Sequence, residues 1–145
     1  MKLRAVEPRD FEPLWHWRRA IGDVFTWADH LQWCTDRLGG GSWWVGENTH
    51  GVSVGVLRID WAGDDPAPGW VSLQVNPGYT GRGYGLRLLA ELPVGRPLWA
   101  LIHPENMPSR RVFVRVGFDQ IVGSFRDGYD CFARGVRVSD AIKAP

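Results

Sequence analysis

Apolar positions change their spacing several times along this chain, and each change marks a new element. Lys2 to Val6 alternates weakly and reads as a strand. Phe11, Leu14, Trp15 and Arg18 then fall on one helical face, which predicts a helix running to about Gly22 with Pro8 in its first turn. Thr26 followed by Asp29 is an N-terminal capping signature for a second helix, and Gly39-Gly40-Gly41 ends it. Trp43 to Glu47 and Val52 to Trp61 read as a hairpin around Asn48-Thr49-His50-Gly51. A polar, proline-containing loop from Ala62 to Pro68 leads into Trp70 to Val75, where Val71, Leu73 and Val75 share one face.

Three alternating glycines interrupt the pattern in Val75 to Gly85, VNPGYTGRGYG. The helix that follows puts Leu86, Leu89 and Leu92 on one face and is cut short by Pro93. Leu98 to His103 predicts a strand, and Ser109, Val112, Phe113 and Val116 give the next helix a buried stripe. Phe118 to Phe125 and Tyr129 to Val136 finish as a hairpin turning at Arg126-Asp127-Gly128. The order is one strand, two helices, three strands, helix, strand, helix, two strands. It predicts a mixed α/β sheet in a single domain spanning residues 1–145.

Composition narrows the function class. Apolar residues make up 44% and charged residues 23% of 145, which is globular, and no apolar run approaches the ~20 residues that cross a bilayer. Met1 to Asp10 carries charges and a proline where a signal peptide needs its apolar segment, so the expectation is a cytoplasmic protein with no membrane partner. The net charge of +1 comes from scattered basic residues, which argues against nucleic acid. Cys34 and Cys131 have no metal-type spacing and read as two buried thiols; no metal is expected. Nine tryptophans are unusual, and eight of them precede the glycine loop.

That loop carries the chemistry. Gly81, Gly83 and Gly85 lack Cβ atoms, so the backbone can turn tightly and aim successive N–H groups at one phosphate, where the helix dipole also favours negative charge. Their spacing is not that of a dinucleotide fingerprint, which needs a double gap and an acid about 20 residues on; Leu101 and Ile102 stand there. Nor is it a Walker loop, since Leu86 and Arg87 follow Gly85 in place of Lys-Ser/Thr.

Val75 to Leu89 instead resembles motif A of the GNAT superfamily of N-acetyltransferases: Thr80-Gly81-Arg82-Gly83-Tyr84-Gly85 fits its glycine pattern except at Thr80. His103 to Phe118 is similar to motif B, with Asn106 after a strand end and Gly117-Phe118 after a helix, in the style of the ribosomal-protein N-terminal acetyltransferase branch. The resemblance implies a mostly antiparallel mixed sheet of about seven strands flanked by about four helices and splayed between the fourth and fifth strands, with acetyl-CoA as co-substrate. It places the pantetheine arm on the backbone of Leu73 and Val75 and the pyrophosphate on the N–H groups from Gly81 through Arg82, Gly83, Tyr84 and Gly85 to Leu86. Asn106 would bond the arm, cap the next helix, or do both. Arg82, Arg87, Arg110 and Arg111 would meet phosphates or form a solvated helix face.

The family reaction is direct attack of an amine on the thioester. Many members use a tyrosine seven residues after the asparagine as the acid; here that residue is Phe113. Positions where others carry a glutamate hold Leu101 and the acid-free run Trp70 to Val75. Ser109 is then the candidate donor to the departing thiolate, with helix packing as its other reading. His103 is the candidate base, unless it bonds the backbone beside Pro104. Asp127, Asp130, Asp60 and Glu47 are further acids able to act through water, and the Val75 amide is the candidate oxyanion donor. The family's acceptor groove lies between the first two helices and the last hairpin, so Trp27, Trp33, Trp43 and Trp44 divide between that groove and the core. Aromatic walls favour an apolar, aromatic or cationic acceptor. A small amine, a protein N-terminus, another acyl-CoA, a homodimer and a CoA-binding sensor without catalysis all stay open.

Overall fold

Helices pack on both faces of one mixed sheet in the computed structural model, which describes residues 1–135 apart from the Ser124 side chain. The strands are β1 (Lys2–Ala5), β2 (Trp43–Glu47), β3 (Ser53–Trp61), β4 (Gly69–Val75), β5 (Leu98–Ile102), β6 (Asp119–Arg126) and β7 (Tyr129–Arg134). The helices are α1 (Phe11–Ala20), α2 (Trp27–Arg37), α3 (Tyr84–Leu89) and α4 (Met107–Arg115). Among the described residues the sheet has seven strands in the order β1-β2-β3-β4-β5-β7-β6. Only β4 and β5 run parallel; the other neighbours are antiparallel. No described helix is long and apolar enough to cross a membrane.

Strand alternation sorts the core. Trp43, Val45 and Val56 pack with Phe11, Leu14 and Cys34 beneath α1 and α2. Their neighbours Trp44 and Leu57 turn to the other face, where Leu88, Leu89 and Phe113 of α3 and α4 close a larger cluster. Local signals act where the sequence placed them. Thr26 Oγ1 accepts from the Asp29 N–H at 3.1 Å to start α2, and Asp127 and Gly128, at φ 51° and 81°, form the two-residue turn between β6 and β7. The predicted end of the last strand at Val136 lies outside the described residues.

Two expectations change. Helix α1 stops at Ala20, two residues short of Gly22, and a 3-10 turn at Pro8–Asp10 precedes it. Helix α3 has one and a half turns, so its buried stripe is Leu88 and Leu89, both fully buried, with Leu92 buried beyond its end; Leu86 is half-buried. The reason lies beneath the helix. Gly46 and Gly55 face each other across β2 and β3, and a Cβ on either would meet Leu88 at under 3 Å, 2.9 Å from Gly46 and 2.6 Å from Gly55. The two glycines form a hollow that seats Leu88 and lets α3 approach the sheet.

Candidate active site

Strands β4 and β5 pair only at Gly69↔Leu98 and Trp70↔Trp99, whereas β4 pairs with β3 along its whole length. Beyond Trp70 the sheet therefore opens. Backbone direction in the open stretch follows from its two ends: the Gly69 N–H donates to Pro97 O at 3.0 Å on the β5 side, and the Asn76 N–H donates to Val54 O at 2.8 Å on the β3 side. Since direction alternates along a strand, the N–H and C=O groups of Leu73 and Val75 face the opening.

A cleft of about 520 Å³ fills this opening. Leu73, Val75, Gly81, Gly83, Tyr84 and Gly85 line one side, and Leu86, Asn106, Ser109 and Arg111 also contribute. Gly81 and Gly83 adopt φ 74° and 83°, the left-handed region that glycine enters freely, and Gly83 is the residue that caps α3. Gly85 differs: it lies in the helix's first turn, and a Cβ there would make ordinary contact with Val75 at 3.5 Å. The loop is held from below by Asn76, whose carboxamide accepts from the Gly78 N–H and donates to Ser53 O, each at 3.0 Å. Asn106 Oδ1 accepts from the Ser109 N–H at 3.3 Å, so the same residue caps α4 and borders the cleft.

Not every candidate arrives. Arg82 is outside the cleft lining, with its guanidinium 4.8 Å from the Tyr79 ring centre. Arg87 likewise stacks on Tyr84, and Arg110 reaches Gln120 and Asp130, which leaves Arg111 as the cleft's guanidinium. His103 is exposed and outside the lining; its Nδ1 accepts from the Glu105 N–H at 3.2 Å, and its ring stands edge-on to Tyr129. Phe113 is 3% exposed and packs edge-on against Phe118. Glu47 pairs with Arg4, and Asp60 with Arg58, each at 3.0 Å. Asp127 occupies the β6–β7 turn. No carboxylate or imidazole lines the cleft among the described residues.

A second, smaller cavity of about 160 Å³ lies between α1, α2 and strands β2 to β4, and it shares Leu73 and Gln74 with the cleft. Trp33 and Trp43 form its aromatic walls, and Arg18, Arg58 and Ser72 supply polar ones. Two suspected tryptophans lie elsewhere: Trp27 packs edge-on against Trp15, and Trp44 joins the α3 face of the sheet. No described residue of the last hairpin lines it. Gln74 lines both spaces, and its buried Nε2 has no hydrogen-bond partner among the described residues. Gln74, Arg18 and Arg58 escaped the sequence reading. A signal existed for Arg18, which follows Phe11 and Leu14 at helical spacing, but an arginine there reads equally as a helix-end charge.

Both cysteines are free and buried, and burial pushes each thiol up to about 11, which leaves them unreactive near neutrality. Among the described residues, no His, Cys, Asp and Glu side chains gather in a group able to hold a metal ion.

The sequence matches the family model described as an acetyltransferase (GNAT) domain over residues 1–119. No curated protein matches it. Among solved structures, a spermidine N-acetyltransferase SpeG chimera from Vibrio cholerae and hSSAT superimposes with TM-score 0.75 at 12% identity, over 99% of this chain and 100% of that one. A GNAT-family acetyltransferase from Bacillus anthracis gives TM-score 0.71 at 19% identity, over 90% of each chain. The protein yncA from Salmonella typhimurium, assigned as an acetyltransferase and solved with its cofactor acetyl-CoA, gives TM-score 0.67 at 22% identity, over 92% of this chain and 91% of that one.

Proposed function

Because the chain belongs to the GNAT acetyltransferase family, we propose that it moves an acetyl group from acetyl-CoA to a primary amine, by direct attack within a ternary complex in one domain. The observation that carries this reading is the opening of β4 away from β5, which leaves the backbone of Leu73 and Val75 facing the cleft. Buried backbone groups require partners, and an extended amide-bearing chain lying along β4 supplies them in place of a strand. The left-handed Gly81 and Gly83 suit a phosphate-bearing end, since both border the same cleft and turns of this hand can gather successive N–H groups toward an anion.

Bound acetyl-CoA supplies an activated acyl carbon: the amine nitrogen bonds to it as the carbon–sulfur bond breaks, the amine gives up a proton, and the sulfur gains one. The chain's residues then have separable tasks. Leu73 and Val75 hold the pantetheine amides, with Asn106 opposite them. The Val75 N–H is the donor to the charge that grows on the acyl oxygen. Ser109, on the far wall, is the hydroxyl that reaches the leaving sulfur. With no imidazole or carboxylate in either lining among the described residues, the amine loses its proton to solvent; Arg18 and Arg58 favour the neutral amine, because like charge disfavours an ammonium. His103, bonded to backbone outside the cleft, has no part in this scheme.

Calorimetric titration with acetyl-CoA, beside desulfo-CoA and NADH, tests the reading, followed by thiol release with a panel of amines. Binding of both CoA ligands alone, with thiol release, is expected. Binding without release from any amine would make this a CoA-binding sensor, the reading that Phe113, Leu101 and Thr80 favour. No binding would remove the cofactor site.

A further inference from the structure

The smaller cavity departs from the aromatic groove anticipated for an apolar or cationic acceptor, because the protein's own cations already occupy its aromatic surface. Arg18, Arg37 and Arg58 place their guanidinium carbons 4.6, 4.1 and 4.8 Å from the centre of Trp33. A cationic acceptor would find that ring taken and two guanidiniums in the wall.

Both wall arginines are fixed from behind. Arg18 Nε donates to Asp23 at 2.9 Å, and its Nη1 lies 3.1 Å from Nδ1 of fully buried His30. His30 Nε2 is 2.7 Å from the Phe11 carbonyl, so it carries the ring proton and leaves Nδ1 to accept from Arg18. Burial, reinforced by Arg18, lowers the pKa of His30 and keeps it neutral in this role. Arg58 Nε donates to Asp60 at 3.0 Å and its Nη2 to Ser72 Oγ at 3.2 Å. In each pair the carboxylate is the outer partner: Asp23 and Asp60 are 41% and 51% exposed, against 11% and 17% for the arginines. Arg18 Nη2 and Arg58 Nη1 have no partner among the described residues, and no carboxylate lines the cavity. Crowding among these cations also registers on Arg37, whose pKa is lowered by burial and then by Arg58. Preorganised guanidinium edges around a small cavity form a site for a planar anion.

Resting on the acetyltransfer reading, we propose that the acceptor is a small amine bearing a carboxylate, of the α-amino acid type. Its acid group is held by Arg18 and Arg58, and its amine lies toward Gln74 and Leu73, where the cavity meets the cleft. The volume of about 160 Å³ compares with cavities that hold benzene, which suits the carboxylate, the α-carbon and a small side chain.

The test compares L-amino acids with their own amides and decarboxylated amines, and adds spermidine and a hexapeptide with a free N-terminus, by thiol release at saturating acetyl-CoA. The acids should exceed their amides by about tenfold or more in kcat/KM, the value of one charge-assisted hydrogen bond. Arg58→Gln and, separately, Arg18→Gln should bring that ratio close to one in variants that keep the wild-type circular dichroism, while Arg19→Gln, which lines neither space and stacks on Trp15, should preserve it. Arg58→Lys should give an intermediate ratio, since it keeps charge and loses the fork. Equal use of acids and amides, preference for spermidine or peptide, or a ratio that survives both glutamine variants would overturn the proposal. So would acetyl-CoA binding with no acid turned over faster than its amide. Failure of acetyl-CoA to bind is a separate result and removes the acetyltransfer reading instead.

Discussion

Adding one methyl group at Gly55 should loosen the whole fold and, with it, the cleft between β4 and β5. A Cβ there would come 2.6 Å from Leu88 Cδ1 and 2.8 Å from the Gln74 carbonyl oxygen, with the Val75 Cα at 3.4 Å. The leucine can rotate away, but the carbonyl moves only if β4 moves. Overpacking of this kind costs about 1–3 kcal/mol, which for a chain near 150 residues is a loss of a few degrees to about 10 °C in Tm. Leu88→Ala alone removes a fully buried side chain and should cost about 2–5 kcal/mol. Combined, the two changes should fall short of their sum by more than about 0.5 kcal/mol, because the new methyl fills part of the vacated space. The Gln74 contact stays in the double variant, so stability should not return to that of Leu88→Ala. Urea unfolding of all four proteins gives the cycle, and calorimetry with acetyl-CoA should show weaker binding for Gly55→Ala. An unchanged midpoint for Gly55→Ala, or strict additivity, would refute the hollow beneath α3.

Other expectations follow from single groups. Gly83→Asp puts a side chain and a negative charge on a residue at φ 83° beside the cleft, and acetyl-CoA titration should show binding lost; retained affinity would detach the phosphates from this loop. Ser109→Ala should lower kcat about tenfold or more while leaving acetyl-CoA affinity in place, and an unaltered rate would return Ser109 to helix packing. Stability should fall with pH because of His30. Burial depresses its folded pKa, so the unfolded chain takes up the proton first: the contribution is complete above about 6.5 and is lost below it, at up to about 1.4 kcal/mol per pH unit. Urea unfolding between pH 7.5 and 5 should give a shallower slope for His30→Gln, and equal slopes would contradict a neutral buried imidazole.

Much of the fold could be read from the chain because its signals are local. The Thr26 cap and the Asp127-Gly128 turn act within a few residues, and each works in the structure as its sequence suggests. The glycine loop was legible for the same reason, since Gly81 and Gly83 act through backbone conformation, whereas the opening between β4 and β5 and the place of Asn106 beside it came only from the family resemblance. What stayed hidden depends on partners far away in sequence. Leu88 joins Leu89 in the core in place of Leu86 because Gly46 and Gly55 clear a space for it from strands some 30 to 40 residues earlier. Arg18 and Arg58 become wall residues of one cavity only when β3 folds beside α1, and His103 is diverted by the Glu105 amide. Tryptophan content pointed to an aromatic groove, but not to the arginines that cover Trp33.

The narrow join between β4 and β5 also bears on how the chain assembles. Strands β2, β3 and β4 are successive neighbours, and β6 and β7 form a tight hairpin beside β5, so each part of the sheet arises from its own stretch of chain. The parts share two register pairs, Gly69↔Leu98 and Trp70↔Trp99. Contacts that are few and distant in sequence form late and open early. The seam is thus where the protein can breathe without unfolding, and amide exchange at Gly69, whose N–H donates to Pro97 O across it, should report that breathing while the β2–β3 ladder stays protected.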